Sequence, residues 1–213
     1  MPFHIVETAL TWRGELLLGA NWIVATCAIT VLTAVLLNFL LREPSVIAVK
    51  ERKSLVATGT MIGFLVFFWV LIRWNIGVIH ISSDALFIIC VIMGLALVIL
   101  GCIVNLLGRK ALGSLWADNV TVYSNQQVLD RGIFGVVRHP LYASLIWMYF
   151  GAALVYQNYA AFLANCLVFV PAMMLRSYQE EKMLESVFPQ YAEYRKRVGR
   201  FLPVWNKGEW HVS

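Results

Sequence analysis

The sequence predicts an all-α integral membrane protein of about five transmembrane helices, the last two folded as a tight helical hairpin. Three observations lead there: apolar residues gathered into runs of membrane-spanning length, charge confined largely to the segments between runs, and a basic bias toward one side. Of 213 residues, 60% are hydrophobic and only 14% charged, where a soluble domain carries about a quarter charged residues. The mean hydropathy is +0.73. Lipid offers backbone groups no partners, so apolar runs of this length must be helices.

The runs can be taken in order. Residues 16–41 and 84–107 carry almost no charge, and each exceeds the roughly 20 residues that cross a bilayer. The first is too long and too late in the chain for a cleaved signal peptide, and no small-residue cleavage site follows it; it reads as a permanent span. Residues 55–79 make another, with Arg73 near one end. After Pro140 come two shorter runs, 141–156 and 159–176, joined by "YQNY". So short a loop forces an antiparallel hairpin. The chain thus reads as a single membrane domain, 1–213, with three N-terminal spans in 1–107. The remainder, 108–213, holds a long connection, the hairpin 140–178 and a polar C-terminal tail.

Charge sets the expected topology. The segment 42–53 carries Arg42, Lys50, Arg52 and Lys53; the connection 108–140 carries Arg109, Lys110, Arg131 and Arg138. Arg176, Lys182, Arg195, Lys196, Arg197, Arg200 and Lys207 follow at the end of the last run and in the tail. Of the 17 basic residues, only Arg13 and Arg73 fall on the other side. With five spans, the positive-inside rule puts the N-terminus outside and the C-terminus in the cytoplasm, in the cytoplasmic membrane if the source is bacterial. The net charge of +5 is topology, with no nucleic-acid partner implied. Cys27, Cys90, Cys102 and Cys166 all lie inside runs without paired spacing, and His4, His80, His139 and His211 are scattered; no disulfide or metal site is suggested.

Smaller features read blandly. Gly59 and Gly63 form a small-xxx-small pair suited to seating a neighbouring helix. Pro171 should kink the last span. Asn38, Asn105 and Asn165 suit interhelical hydrogen bonds, and Arg73 with Trp74 suits snorkelling at the outer interface. No Asp, Glu, Lys or Arg occupies the middle of a run, which argues against a pump or ion-coupled transporter.

The chemistry-bearing residues gather at the cytoplasmic edge. In "RGIFGVVRHPLYASLIW", residues 131–147, Pro140 marks a first helical position with His139 at the cap. The free amides of that helix end make an anion site, and Arg138 adds a bidentate clamp. From Pro140 to Tyr156 the chain climbs about 24 Å, and from Tyr159 it descends about 31 Å to Glu180 and Glu181. The Arg-His-Pro threshold and the paired acids thus return to the same depth, able to hold a ligand with both a negative and a positive end. The bland alternative is an i,i+4 surface pair of Arg176 with Glu180, with Arg138 merely a positive-inside residue. In the tail, Tyr191, Tyr194 and Val198 form an apolar stripe opposite Glu193, Lys196 and Arg197, a candidate lid or a generic interfacial helix.

These residues resemble a known family. "GIFGVVRHPLYAS", followed by "EEKMLESVFPQYAEYRKRVGRFLP", is similar to the isoprenylcysteine carboxyl methyltransferase superfamily, which also includes phospholipid methyltransferases. The matching residues are Arg138, His139, Pro140 and Tyr142; Glu180, Glu181 and Leu184; then Phe188, Tyr191, Tyr194, Arg197, Val198, Arg200 and Pro203. "ALGSLWA", Ala111 to Ala117, resembles the family's Gly-x-x-Trp segment. The resemblance implies a membrane methyltransferase using S-adenosylmethionine, with the cofactor pocket between the last two spans, the connection and the tail. It implies Arg138, His139 and Glu181 as catalytic groups. Gly132, Gly135, Arg138, His139, Tyr142, Glu180, Glu181, Tyr191, Tyr194 and Arg197 are implied to bind the cofactor. The implied partner is a lipidic or prenylated acceptor, an isoprenylcysteine carboxylate first. Val136 stands where the family often has an aromatic residue. A membrane sterol or isoprenoid reductase using NADPH on a similar architecture is the rival reading, and a non-catalytic membrane protein the third.

Overall fold

The computed structural model describes residues 3–40, 48–52, 55–113, 120–123 and 128–204. Its helices are α1 (Phe3–Leu40), α2 (Leu55–Arg73), α3 (Asp84–Leu112), α4 (Ile133–Val136), α5 (Pro140–Val155), α6 (Tyr159–Ala164), α7 (Val170–Val187) and α8 (Tyr191–Arg197). A π turn, Asn165–Phe169, joins α6 to α7 without a break. Among the described residues, three helical stretches are long and apolar enough to cross a membrane: Trp12–Asn38, Asp84–Leu112 and Tyr159–Val187. Met61–Arg73 and Pro140–Val155 are apolar but shorter. The expected five spans thus resolve into three of full length and two shorter helices.

The boundaries shift where the sequence offers no stop signal. Helix α1 begins at Phe3, before the apolar run does, because no proline or glycine lies between Phe3 and Gly14 to break it. Helix α3 runs past residue 107 through Arg109 and Lys110, where basic side chains suit the negative end of the helix dipole. The all-α expectation gains one addition, a two-stranded antiparallel ribbon of β1 (Ala48–Arg52) and β2 (Val120–Tyr123). It ties the segment after α1 to the segment after α3, the two basic connections that charge alone assigned to one side.

Helix α3 packs most extensively on α5. Glycine makes the seam: a Cβ on Gly94 would come within 2.6 Å of the Gly151 carbonyl oxygen, and one on Gly151 within 2.5 Å of that of Gly94. Gly101 likewise faces the Ser144 carbonyl. Close backbone approach of this kind is how membrane helices gain dispersion contacts. Gly59 and Gly63, expected to seat a neighbour, have open space where a Cβ would stand; the seam belongs to α3 and α5 instead. Deeper along it, Asn105 Nδ2 donates to Ser144 Oγ at 2.7 Å, and Asn105 Oδ1 accepts from Arg109 Nε at 2.8 Å.

At the other end, Arg13 fixes α1 to the start of α3. Its guanidinium donates to Asp84 Oδ1 and to the Ile81 and Ser82 carbonyls, and lies 4.8 Å from the centre of the Phe87 ring. Asp84 thereby places a negative charge in the first turn of α3, where the helix dipole favours it. The α5–α6 turn closes through Asn158, whose side chain accepts from Ala161 N at 2.8 Å and donates to the Leu71 carbonyl of α2. An aromatic core of Phe64, Phe68, Tyr149 and Phe169 packs α2 against the hairpin.

Candidate functional site

The approach to α5 is a glycine turn followed by a short pairing with the tail. Gly132 adopts φ +59 at the cap of α4, a conformation that costs glycine little and other residues more. Val137 then bridges Gly199 in parallel. Arg138 N donates to Gly199 O at 2.8 Å, and His139 N to Arg200 O at 3.1 Å. Pro140 starts α5 with His139 as its cap, as its missing N–H favours. The tail is therefore stitched by backbone bonds to the Arg-His-Pro threshold.

The hairpin returns the acids to this threshold. Glu181 Oε1 accepts from Arg138 Nη2 at 3.0 Å and Nε at 3.2 Å, and lies 3.1 Å from His139 Nε2. Its Oε2 accepts from Arg200 Nη2 at 2.6 Å. The side chain of Glu181 is 1% exposed. A buried charge is tolerated only when paired and hydrogen-bonded, and here two arginines and an imidazole surround one carboxylate. The remaining Arg138 nitrogen, Nη1, donates to the Arg195 and Val198 carbonyls. Arg138 and Glu181 thus bracket α5, α7 and the tail together. Glu181, expected among catalytic and cofactor-binding groups, is covered by its own partners; burial makes it the bracket.

Glu180 faces differently. Its Oε2 accepts from the Tyr142 hydroxyl at 3.0 Å and lies 3.6 Å from His139 Nδ1, and a third of the side chain is exposed. Tyr142 in turn accepts from Arg176 Nε at 3.0 Å and stacks on His139. Arg176 is buried, so it is no surface residue, and its Nε serves Tyr142.

Beside these groups lies a cleft of ≈ 60 Å³ that opens to solvent, lined by Leu112, Val128, Leu129, Phe134, Arg138, His139, Glu180, Leu184, Tyr191 and Tyr194. Tyr191, Tyr194 and Val198 of the expected tail stripe are buried together against Val128, Leu184 and Phe188. The Tyr194 hydroxyl donates to Phe134 O at 2.6 Å, locking α8 over α4. Burial pushes both the Tyr191 and Tyr194 phenols up, so they stand in the cleft as neutral groups.

Of the residues nominated from sequence, Arg138, His139, Glu180, Tyr191 and Tyr194 meet at the cleft. Tyr142 and Glu181 stand behind it, bonded to lining residues. Gly132 shapes the turn, and Gly135 backs onto the Asp130 carbonyl, where a Cβ would stand 3.0 Å away. Arg197 lies outside, exposed and 3.5 Å from Asp130. Of the Ala111–Ala117 segment, residues 114–117 lie outside the described residues. The apolar wall of Leu112, Val128, Leu129, Phe134 and Leu184 was not nominated. Leu184 and Phe134 sat inside the quoted motifs, whereas Val128 and Leu129 carried no periodic signal.

A model of the phospholipid methyltransferase family matches residues 89–191. That span holds most of α3, the α5–α7 hairpin and the start of α8. The segment that builds most of the site is therefore similar to the phospholipid methyltransferase family. The chain is also 30% identical over 94 residues to the cobalt-zinc-cadmium resistance protein CzcN of Cupriavidus metallidurans, a match covering 43% of each chain. The methyltransferase-family match ends at Tyr191, yet Tyr194, Arg195, Val198 and Arg200 beyond it hold the Arg138–Glu181 bracket and the cleft wall.

Proposed function

We propose that the chain is a membrane methyltransferase that draws its methyl group from S-adenosylmethionine and passes it to a lipidic or hydrophobic acceptor, an isoprenylcysteine-type carboxylate first among them. The observation that carries this is the open carboxylate of Glu180. It stands beside His139 and Arg138 in a cleft whose other wall is apolar and aromatic. The donor set fits the cofactor's parts. Glu180 suits an ammonium or sugar hydroxyl, Arg138 adds positive charge near a carboxylate, and the faces of Tyr191 and Tyr194 suit a cationic sulfur. Phe134, Leu112, Val128, Leu129 and Leu184 suit a purine. The cofactor supplies, when bound, a methyl group activated on a sulfonium.

The chain's own residues position and exclude. Displacement at a methyl carbon depends chiefly on alignment, so a rigid bracket behind the cleft matters more than a strong base. Glu181 supplies that rigidity by fixing Arg138 and His139 at once. A carboxylate acceptor needs no proton removed; an amine or hydroxyl acceptor would hand its proton to His139 or Glu180. The cytoplasmic side is the proposed face for the cleft, with the N-terminus outside. The basic connections and their joining by the β1–β2 ribbon support that orientation. A tailed acceptor would then reach the cleft from the bilayer.

The test is incubation of purified protein with methyl-labelled S-adenosylmethionine, membrane lipid extracts and prenylated peptides, followed by mass spectrometry. Label in a lipid or peptide is expected. Thermal stabilisation by NADPH and none by the methyl donor would instead favour the reductase reading.

A further inference from the structure

The last long helix carries a five-residue irregularity that the proposed chemistry leaves unused. Between α6 and α7 the backbone bond from Val170 N reaches Asn165 O, five residues back instead of four. Pro171 explains why it forms there. Proline has no N–H to donate and its ring crowds the carbonyl four residues earlier, that of Leu167, in a regular α-turn. Asn165, fully buried, pins the widened turn to α5 by donating from Nδ2 to Ile146 O at 3.1 Å.

The consequence is rotational. Buried residues recur at every fourth position along this helix: Ala161, Asn165, Phe169, Met173, Ser177 and Glu181. A regular α-helix turns about 100° per residue, so over the 20 steps from Ala161 to Glu181 it would end about 200° from its starting face. Glu181 would then point away from α5. One extra residue within a turn rotates everything beyond it back by about 100°, which brings Glu180 into line with the Ala161 face and Glu181 within about 100° of it. We propose that the π turn Asn165–Phe169, seeded by Pro171 and pinned by Asn165, is a positioning element that sets the angular register of α7 so that Glu180 and Glu181 face Arg138 and His139. The proposal rests on the methyltransferase reading for its functional consequence, but not for its geometry.

The experiment removes the extra residue, or adds one beyond the turn. Deleting Val168, half exposed, takes out the residue that the widened turn absorbs and converts it to an α-turn, so both acids keep the face they hold. Inserting an alanine between Met174 and Leu175, both exposed, leaves the turn intact and rotates residues 175–187 by about 100° off that face. Two readouts are taken on the detergent-purified full chain. The first is S-adenosylhomocysteine affinity: the deletion should hold it within about threefold, and the insertion should weaken it by about 100-fold or more. The second is the melting temperature cost of Glu181→Gln in each background. That cost should be about 6 °C or more in the native chain, persist in the deletion variant, and vanish in the insertion variant.

If the turn does not absorb one residue of register, the deletion variant will be at least as impaired as the insertion variant by both readouts. That result overturns the proposal. A native chain that binds no S-adenosylhomocysteine would sink the donor reading alone, since the Glu181→Gln melting cycle still reports the register.

Discussion

Arg138 and Glu181 stand 43 residues apart in the chain and meet at 3.0 Å, with side chains 8% and 1% exposed. The contact exists because the chain leaves the threshold along α5, turns within a few residues and returns along α6 and α7. The same arginine holds two carbonyls of the tail, so one ion pair closes three elements.

Removing the charge at its centre should therefore be felt globally. Glu181→Gln leaves Arg138 and Arg200 buried or half-buried without their counter-charge, and breaking a buried pair from one side costs about 3 kcal/mol or more. A melting temperature lowered by about 6 °C or more is expected for a chain of this size. An unchanged melting temperature would show that the bracket does not hold the fold.

Glu180 should separate cleanly from its neighbour. It is a third exposed and lines the cleft, so Glu180→Gln should cost about 1 kcal/mol or less of stability. Binding of S-adenosylhomocysteine should nevertheless weaken at least about tenfold. Parallel melting curves and calorimetric titrations of the two variants check the division: one acid for the fold, one for the ligand.

The glycine seam gives a prediction about packing. Gly151→Ala drives a methyl group against the Gly94 carbonyl and should cost about 1–3 kcal/mol. Gly59→Ala and Gly63→Ala meet nothing within 4 Å and should leave the melting temperature unchanged or slightly raised, as alanine is the better helix former.

The tail tyrosines set an alkaline limit. Burial raises the Tyr191 and Tyr194 phenols above their ordinary range. The folded state thus prefers them protonated, and their contribution is whole below about pH 10 and lost as pH climbs further. Tyr194→Phe, which also gives up the bond to Phe134 O, should lower stability by about 1 kcal/mol at neutral pH. Paired with Tyr191→Phe it should flatten the loss of stability seen in melting curves above about pH 10.

The hairpin was legible because it follows from distance alone: two apolar runs, a short loop and a fixed rise per residue bring Glu180 and Glu181 back to Arg138. Their division of labour was not. Adjacent helical positions differ by about 100°, and which faces the bracket depends on the π turn far above them. The Gly94, Gly101 and Gly108 spacing of seven is present in α3, but the small-xxx-small spacing of Gly59 and Gly63 is the more conspicuous local signal, and those two face open space. Val128 and Leu129 belong to an irregular stretch whose placement is set by α8 packing on it, so no local pattern announced them. The ribbon of β1 and β2 lay in polar connections, where strand pairing depends on a partner some seventy residues away.

The claim that matters most is that Glu180 and its neighbours form a site for the methyl donor. Calorimetric titration of S-adenosylhomocysteine into the detergent-purified native chain, beside Glu180→Gln, tests it directly. Saturable one-to-one binding that Glu180→Gln weakens at least about tenfold, with the melting temperature of the unliganded variant held, is the expected result. No binding to a well-folded native chain, or equal binding to both, would contradict it.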